Sequence, residues 1–194
     1  MEQFMPSVMN TSSTLIRRNM AINQRRILIN DDIDDNISAE VQYYLYSIME
    51  LDKENSTKEP IEILIDSNGG SIESGLSMVS LIESMKDNGY KIITINAGKA
   101  YSMGFILAII GNERKSYRYS SYMIHDASSG SIGKVVEMEE QLEETKRLRS
   151  IVDDLVYKYT NITPKMMENW HTRKVDKYFS VEDAKTLNIV DKVV

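Results

Sequence analysis

Two apolar runs rich in β-branched residues, Ile61-Glu-Ile-Leu-Ile-Asp66 and Lys91-Ile-Ile-Thr-Ile-Asn96, each pass through a glycine-bearing turn into a helical pattern. Strand, tight turn and helix repeated in that order predict an α/β domain with largely parallel strand pairing. An earlier strand is expected over 26–30, ending in the acidic turn 31–35. Ser38 would then cap a helix to about residue 53, with Val41, Tyr44, Leu45 and Ile48 on one face. A helix over 71–85 follows the first glycine turn, and the apolar run 103–110 makes a short buried helix after the second. Further strand-like pieces surround Tyr117 and cover 122–124.

The stretch from Gly133 to Tyr159 is long, charged and periodic, with Leu148, Ile151, Val152, Leu155, Val156 and Tyr159 in one stripe. At ~1.5 Å per residue such a helix reaches about 40 Å, more than a compact domain needs. It reads either as a surface helix with a solvated acidic face or as a projection that packs on another subunit. Two short capped helices close the chain. Thr163-Pro164 supplies an N-cap with proline at the first helical position. Ser180 and Asp183 have capping-box spacing, and a last strand is expected over 189–194. Residues 1–24 read as a mobile lead-in without the pattern of a secretion signal, and 25–194 as one domain.

Composition narrows the chemistry. A net charge of −6 without a Lys/Arg cluster argues against nucleic-acid binding. With zero cysteines, thiolate catalysis, disulfides and Cys-based zinc sites are excluded. The Asp31–Asp35 run lacks the glycine and distal glutamate of a calcium loop and reads as a solvated turn. No apolar run reaches the ~18 residues of a membrane span. Neither a metal nor a cofactor is expected.

Ser102 lies in Ala97-Gly-Lys-Ala-Tyr-Ser-Met-Gly104, between a strand and an apolar helix. A serine in that turn is exposed at a strand end, with a helix N-terminus behind it that favours developing negative charge. A helix-capping role is the plainer alternative for such a serine. Met103 can offer a backbone N–H at the same turn. Gly70, in Asp66-Ser-Asn-Gly-Gly-Ser71, can offer a second, so that the two could form an oxyanion hole. Of two histidines, His125 ends an apolar strand-like piece and is the candidate base. His171 reads as a surface or loop residue.

Asp66-Ser-Asn-Gly-Gly-Ser71, Gly98-Lys-Ala-Tyr-Ser-Met-Gly104, Met123-Ile-His125 and Ser180-Val-Glu-Asp-Ala184, with Ile189-Val-Asp191, resemble ClpP in order and separation. The resemblance covers most of the chain from about Arg26. It implies a ClpP/crotonase-type fold whose long helix belongs to a handle over about 126–160. It also implies Ser102 as nucleophile, His125 as general base, and Gly70 and Met103 as oxyanion donors. Family members form stacked heptameric rings. An AAA+ Clp-type unfoldase feeds polypeptides into them, which implies a homo-oligomer in the cytoplasm of a cell or host.

The chain departs from the family at the third triad position. Counting back from Ser180 without a gap reaches Thr172, and counting forward along the preceding helix falls nearer Trp170. The nearest carboxylate is Asp176. Thr172 can accept a hydrogen bond but cannot supply a negative charge. Asp126, next to His125 in an extended stretch, should point to the opposite face. The segment after the histidine lacks the family's proline and paired glycines, although its Gly/Ser content suits a flexible lead into the handle. Other functions fit less of the pattern. They are a catalytically weak or inactive subunit of a mixed ring, a crotonase-like acyl-CoA enzyme, and a Ser–Lys peptidase with Lys99 as base.

Overall fold

The computed structural model describes residues 8–55, 58–126, 134–173 and 176–194. In chain order these form α1 (Val8–Gln24), β1 (Arg26–Ile29), α2 (Asp35–Asn55), β2 (Ile61–Ser67), α3 (Ile72–Asp87), β3 (Ile92–Tyr101) and α4 (Met103–Ile109). Then follow β4 (Glu113–Ser116), β5 (Ser121–Ile124), α5 (Val135–Tyr159), α6 (Pro164–Arg173), β6 (Lys177–Phe179), α7 (Val181–Thr186) and β7 (Lys192–Val193). The order β1-β2-β3-β4-β7 is parallel throughout, as the strand–helix alternation predicts. Residues 1–24, read above as a lead-in, contain α1, which packs on β1 and α2 and buries Ala21.

The branching of β3 organises one end of the sheet. Its first part pairs with β4 through Ile93–Asn96, and its last part pairs with β5 through Lys99–Tyr101. Between them the register to β2 jumps from Ile65↔Asn96 to Ser67↔Ala100. The bulge re-aims the strand end, a common use of bulges beside functional sites. Asp66 Oδ1 accepts from Lys99 N at 3.0 Å, and a Cβ at Gly98 would lie 2.7 Å from that same oxygen. Asn96 is fully buried at the fork. Its Nδ2 donates to Ser121 O at 2.9 Å, and its Oδ1 accepts from Gly98 N at 3.1 Å.

All seven residues of α4 are buried, as expected of a helix apolar on every side. Phe105 on α4 contacts Tyr122 of β5 and Phe179 of β6, with ring centroids 6.3 and 6.2 Å apart, and Trp170 of α6 adds a third edge at 5.7 Å. Each such pair contributes about 0.5–1.5 kcal/mol beyond simple burial. Together they hold the β5–β6 ribbon against α4.

Local caps follow the expected chemistry with one correction. Asp34, not Ser38, caps α2: its Oδ1 accepts from Ile37 N at 2.8 Å. Ser38 lies inside the helix and donates to Ser74 O at 2.9 Å. The Ser180–Asp183 capping box forms. Strand β4 stops one residue before Tyr117, and β7 spans only Lys192–Val193 of the expected 189–194.

The long helix α5 is buried at Leu148 and Val156, while Val135, Val136, Met138 and Leu142 in its first half are exposed. The expected flexible lead into it, 127–133, lies outside the described residues. Its last turn is anchored to α3 through Glu83, which accepts from Lys86 at 2.7 Å, Lys158 at 2.6 Å and Tyr159 Oη at 2.6 Å. Burial raises the Glu83 carboxyl pKa, but hydrogen bonds from Lys158, Lys86 and Tyr159 outweigh it, bringing it from 4.5 to about 2. A depressed carboxyl pKa stabilises the fold above the unfolded value, and that contribution disappears as pH falls from 4.5 toward 2. Between pH 6 and 2.5, urea unfolding should therefore show the native protein losing roughly 1–2 kcal/mol more than Glu83→Gln, the full shift being reduced by solvent screening. Equal losses would show that this anchor carries no stabilising charge.

Candidate active site

Ser102 sits where β3 ends and α4 begins, with φ 52° and ψ −119°. Side chains rarely adopt that backbone, so the turn is strained and held by its surroundings. Ser102 N donates to Met123 O at 2.9 Å, and Phe105 N donates to Ser102 O at 3.0 Å. A Cβ on Gly69 would lie 2.6 Å from Ser102 Cβ and 3.0 Å from Met103 N, so only glycine permits this approach. The hydroxyl makes no helix-capping bond, which removes the plainer reading of this serine. Instead Ser102 Oγ lies 2.9 Å from His125 Nε2.

His125 follows the last residue of β5 and is half-buried, its side chain 30% exposed. Strand β6 pairs antiparallel with β5 in the register Tyr122↔Phe179, Met123↔Tyr178, Ile124↔Lys177. One residue further, that register sets His125 opposite Asp176. Directly opposed side chains on an antiparallel pair are neighbours, and Asp176 Oδ1 lies 3.9 Å from His125 Nδ1. That is ion-pair reach and longer than a hydrogen bond. Thr172, the other expected third member, is exposed on α6, where its hydroxyl donates to Glu168 O at 2.8 Å. Trp170 packs on Phe179. Asp126 pairs with Arg149 of α5 at 3.2 Å. His171 falls in α6, with its side chain outside the described residues.

The glycine turn is splinted from a distance. Ile33 N donates to Gly69 O at 2.8 Å, and Ser71 N donates to Ile33 O at 2.7 Å, forming a parallel bridge between Ile33 and Gly70. In such a bridge the central residue's own N–H points away from the partner strand, here away from Ile33. Ser67 Oγ donates to Asp31 O at 2.7 Å and accepts from Gly69 N at 3.1 Å. Asp35 Oδ1 accepts from Ser74 Oγ at 2.6 Å. The acidic turn 31–35, read as merely solvated, is thus stitched to the glycine turn. Gly70 has φ 149°, and a Cβ there would meet Ile33 O at 2.2 Å. The Met103 N–H belongs to the first turn of α4, where amides lack an intrahelical acceptor.

Two hollows meet at the serine. A cavity of about 40 Å³ is lined by Ile72, Met103, Ile106, Ile124, Val152 and Met167, with Asp126, Arg149 and Asp153 also on its wall. An open cleft of about 370 Å³ is lined by Asp32, Asn68, Gly69, Gly70, Ile72 and Met123. Ser102 and His125 line both. Sequence reading missed Asn96, Ser67, Ile33 and Arg149 as supports of the site. A buried asparagine inside an apolar strand was the one local signal available.

This arrangement joins a serine in a strained strand-to-helix turn, an imidazole at hydrogen-bond distance and a glycine turn against both. It sits on a mostly parallel sheet wrapped by helices. The profile of the Clp protease family, a family of serine peptidases, matches residues 10–194, and the chain belongs to that family.

Proposed function

We propose that the chain is a catalytically active endopeptidase subunit using Ser102, His125 and Asp176, with Gly70 and Met103 as oxyanion donors. The observation that carries this reading is the 2.9 Å contact of Ser102 Oγ with His125 Nε2 across a strained turn. As Oγ bonds to the scissile carbonyl carbon, Nε2 takes its proton, and the new oxyanion lies against the two N–H groups. The imidazolium then protonates the leaving amine as the C–N bond breaks. Water, deprotonated by the same nitrogen, then bonds to the acyl carbon, and the imidazolium returns that proton to Ser102 Oγ as the ester bond breaks. Asp176 positions the imidazole and stabilises its positive charge. The exposed apolar residues on the first half of α5 suit contacts between copies of the chain. By family likeness these copies are stacked heptameric rings in the cytoplasm, and an AAA+ unfoldase delivers unfolded polypeptides to them.

A fluorophosphonate probe tests the proposal: it should label Ser102 in the assembled protein, and His125→Ala should abolish the labelling. No adduct on an assembled oligomer would favour a non-catalytic subunit of a mixed ring. The 3.9 Å separation and the 56% exposure of the Asp176 side chain are what favour that second reading. For the active form, Asp176→Asn should lower kcat by about 10–100-fold at neutral pH, less than for a fully buried triad acid. The rate should regain part of that loss at alkaline pH, and KM should stay within a few-fold. Thr172→Ala should leave turnover within twofold, roughly the effect of an exposed substitution. The reverse ranking would sink the assignment of Asp176.

A further inference from the structure

Resting on the peptidase reading above, we infer that Asp32 makes the cleft selective for polypeptides with a basic side chain beside the scissile bond. That residue lies across the bond from the one held in the apolar cavity. The two hollows differ in chemistry while sharing Ser102 and His125. A chain crossing Ser102 must therefore set neighbouring side chains into different surroundings. On the mostly apolar side these are Met103, Ile106, Ile124 and Met167, and the charged residues of that wall, Asp126, Arg149 and Asp153, are paired among themselves. On the other side, among the described residues, Asp32 and His125 are the charged or titrating side chains that line the cleft.

The position of Asp32 is set by backbone pairing. The Ile33–Gly70 bridge puts Asp32 beside Gly69, the residue packed against Ser102. Its neighbours spend their carboxylates elsewhere: Asp34 caps α2, and Asp35 accepts from Ser74. Asp32's carboxylate has no hydrogen-bond or ion-pair partner among the described residues. The Lys99 ammonium beyond Asn68 is bound at 3.0 Å to that residue's amide oxygen. A substrate lysine or arginine would meet an uncompensated carboxylate there, and a substrate glutamate would be repelled. Each effect is worth a few-fold for a partly exposed pair, and together they give a preference of about tenfold.

The test uses the full-length protein and internally quenched peptides with one fixed apolar residue. Lysine, norleucine or glutamate is placed in turn at each position flanking the scissile bond. At low salt, kcat/KM for lysine over glutamate should be about tenfold at one flanking position and should shrink as salt screens the pair. The ratio is read within each variant, so any common loss of activity cancels. It should fall to about one in Asp32→Asn and invert in Asp32→Lys. Cleavage of the norleucine peptide with a ratio unchanged by Asp32→Asn would overturn the inference and leave the peptidase reading intact. If no peptide is cleaved and fluorophosphonate leaves Ser102 unlabelled, both fall together.

Discussion

Gly70→Ala is expected to cut peptide turnover by about 10³-fold or more, the scale of losing one oxyanion donor and displacing its neighbour. A Cβ at residue 70 would lie 2.2 Å from Ile33 O and 2.8 Å from Ile33 N, both backbone atoms that cannot swing aside. Relief requires the turn to leave the Ile33 bridge. That movement re-aims the Gly70 N–H and drags Gly69, whose Cα packs against Ser102. The loss should fall on kcat, and affinity for a peptide boronate that mimics the tetrahedral adduct should drop in parallel. Gly89→Ala is the control for backbone strain alone. Gly89 also has positive φ, 85°, but among the described residues its Cβ would meet just the Lys58 ammonium, at 3.9 Å. It should cost about 1 kcal/mol of stability and leave kcat unchanged. Equal effects of the two substitutions on turnover would show that Gly70 acts through general strain and not through the site.

Arg114→Ala should be the most destabilising of the substitutions considered, by about 3–5 kcal/mol in urea unfolding. Its guanidinium is almost fully buried, with a side chain 11% exposed. Nη1 donates to Tyr159 O and to Asn188 O, both at 2.6 Å, and Nη2 donates to Asn188 Oδ1 at 3.0 Å. Nε donates to Asp191 Oδ2 at 3.1 Å, and Nη2 also pairs with Asp191 Oδ1. One side chain therefore ties β4 to the end of α5 and to the turn between α7 and β7. Removing it leaves the Tyr159 and Asn188 carbonyls, the Asn188 amide oxygen and the Asp191 carboxylate without this donor. Burial raises the Asp191 pKa, and the Arg114 hydrogen bonds more than reverse that. Arg114→Lys should recover little, because an ammonium cannot reach five acceptor atoms on three residues as the planar fork does. Full stability in Arg114→Lys would mean that charge alone, without the fork, accounts for the contact.

Features encoded within a few residues were legible in the chain. The strands 26–30 and 61–66, the helix begun by Pro164 and the Ser180–Asp183 box follow from side-chain period and cap chemistry. The serine's place between β3 and α4 was equally readable, since an apolar strand, a glycine turn and an apolar helix leave little choice. Ser38 was misread as a cap because serine suits that role locally. Asp34 caps instead, and Ser38 turns to a carbonyl on α3 that no local pattern names.

By itself, then, the sequence determined the α/β order, the serine and the histidine at strand ends, and the family. Each rests on backbone preferences and motifs that act over a turn or a strand. The tertiary structure decided that Asp176 lies opposite His125, because that depends on the antiparallel register of β5 and β6 rather than on counting along the chain. It also decided what holds the glycine turn, through a bond between Ser67 and Asp31, 36 residues apart, and the Ile33 bridge. Backbone hydrogen bonds between distant segments have no side-chain code. Only the packed sheet brings their donors and acceptors together.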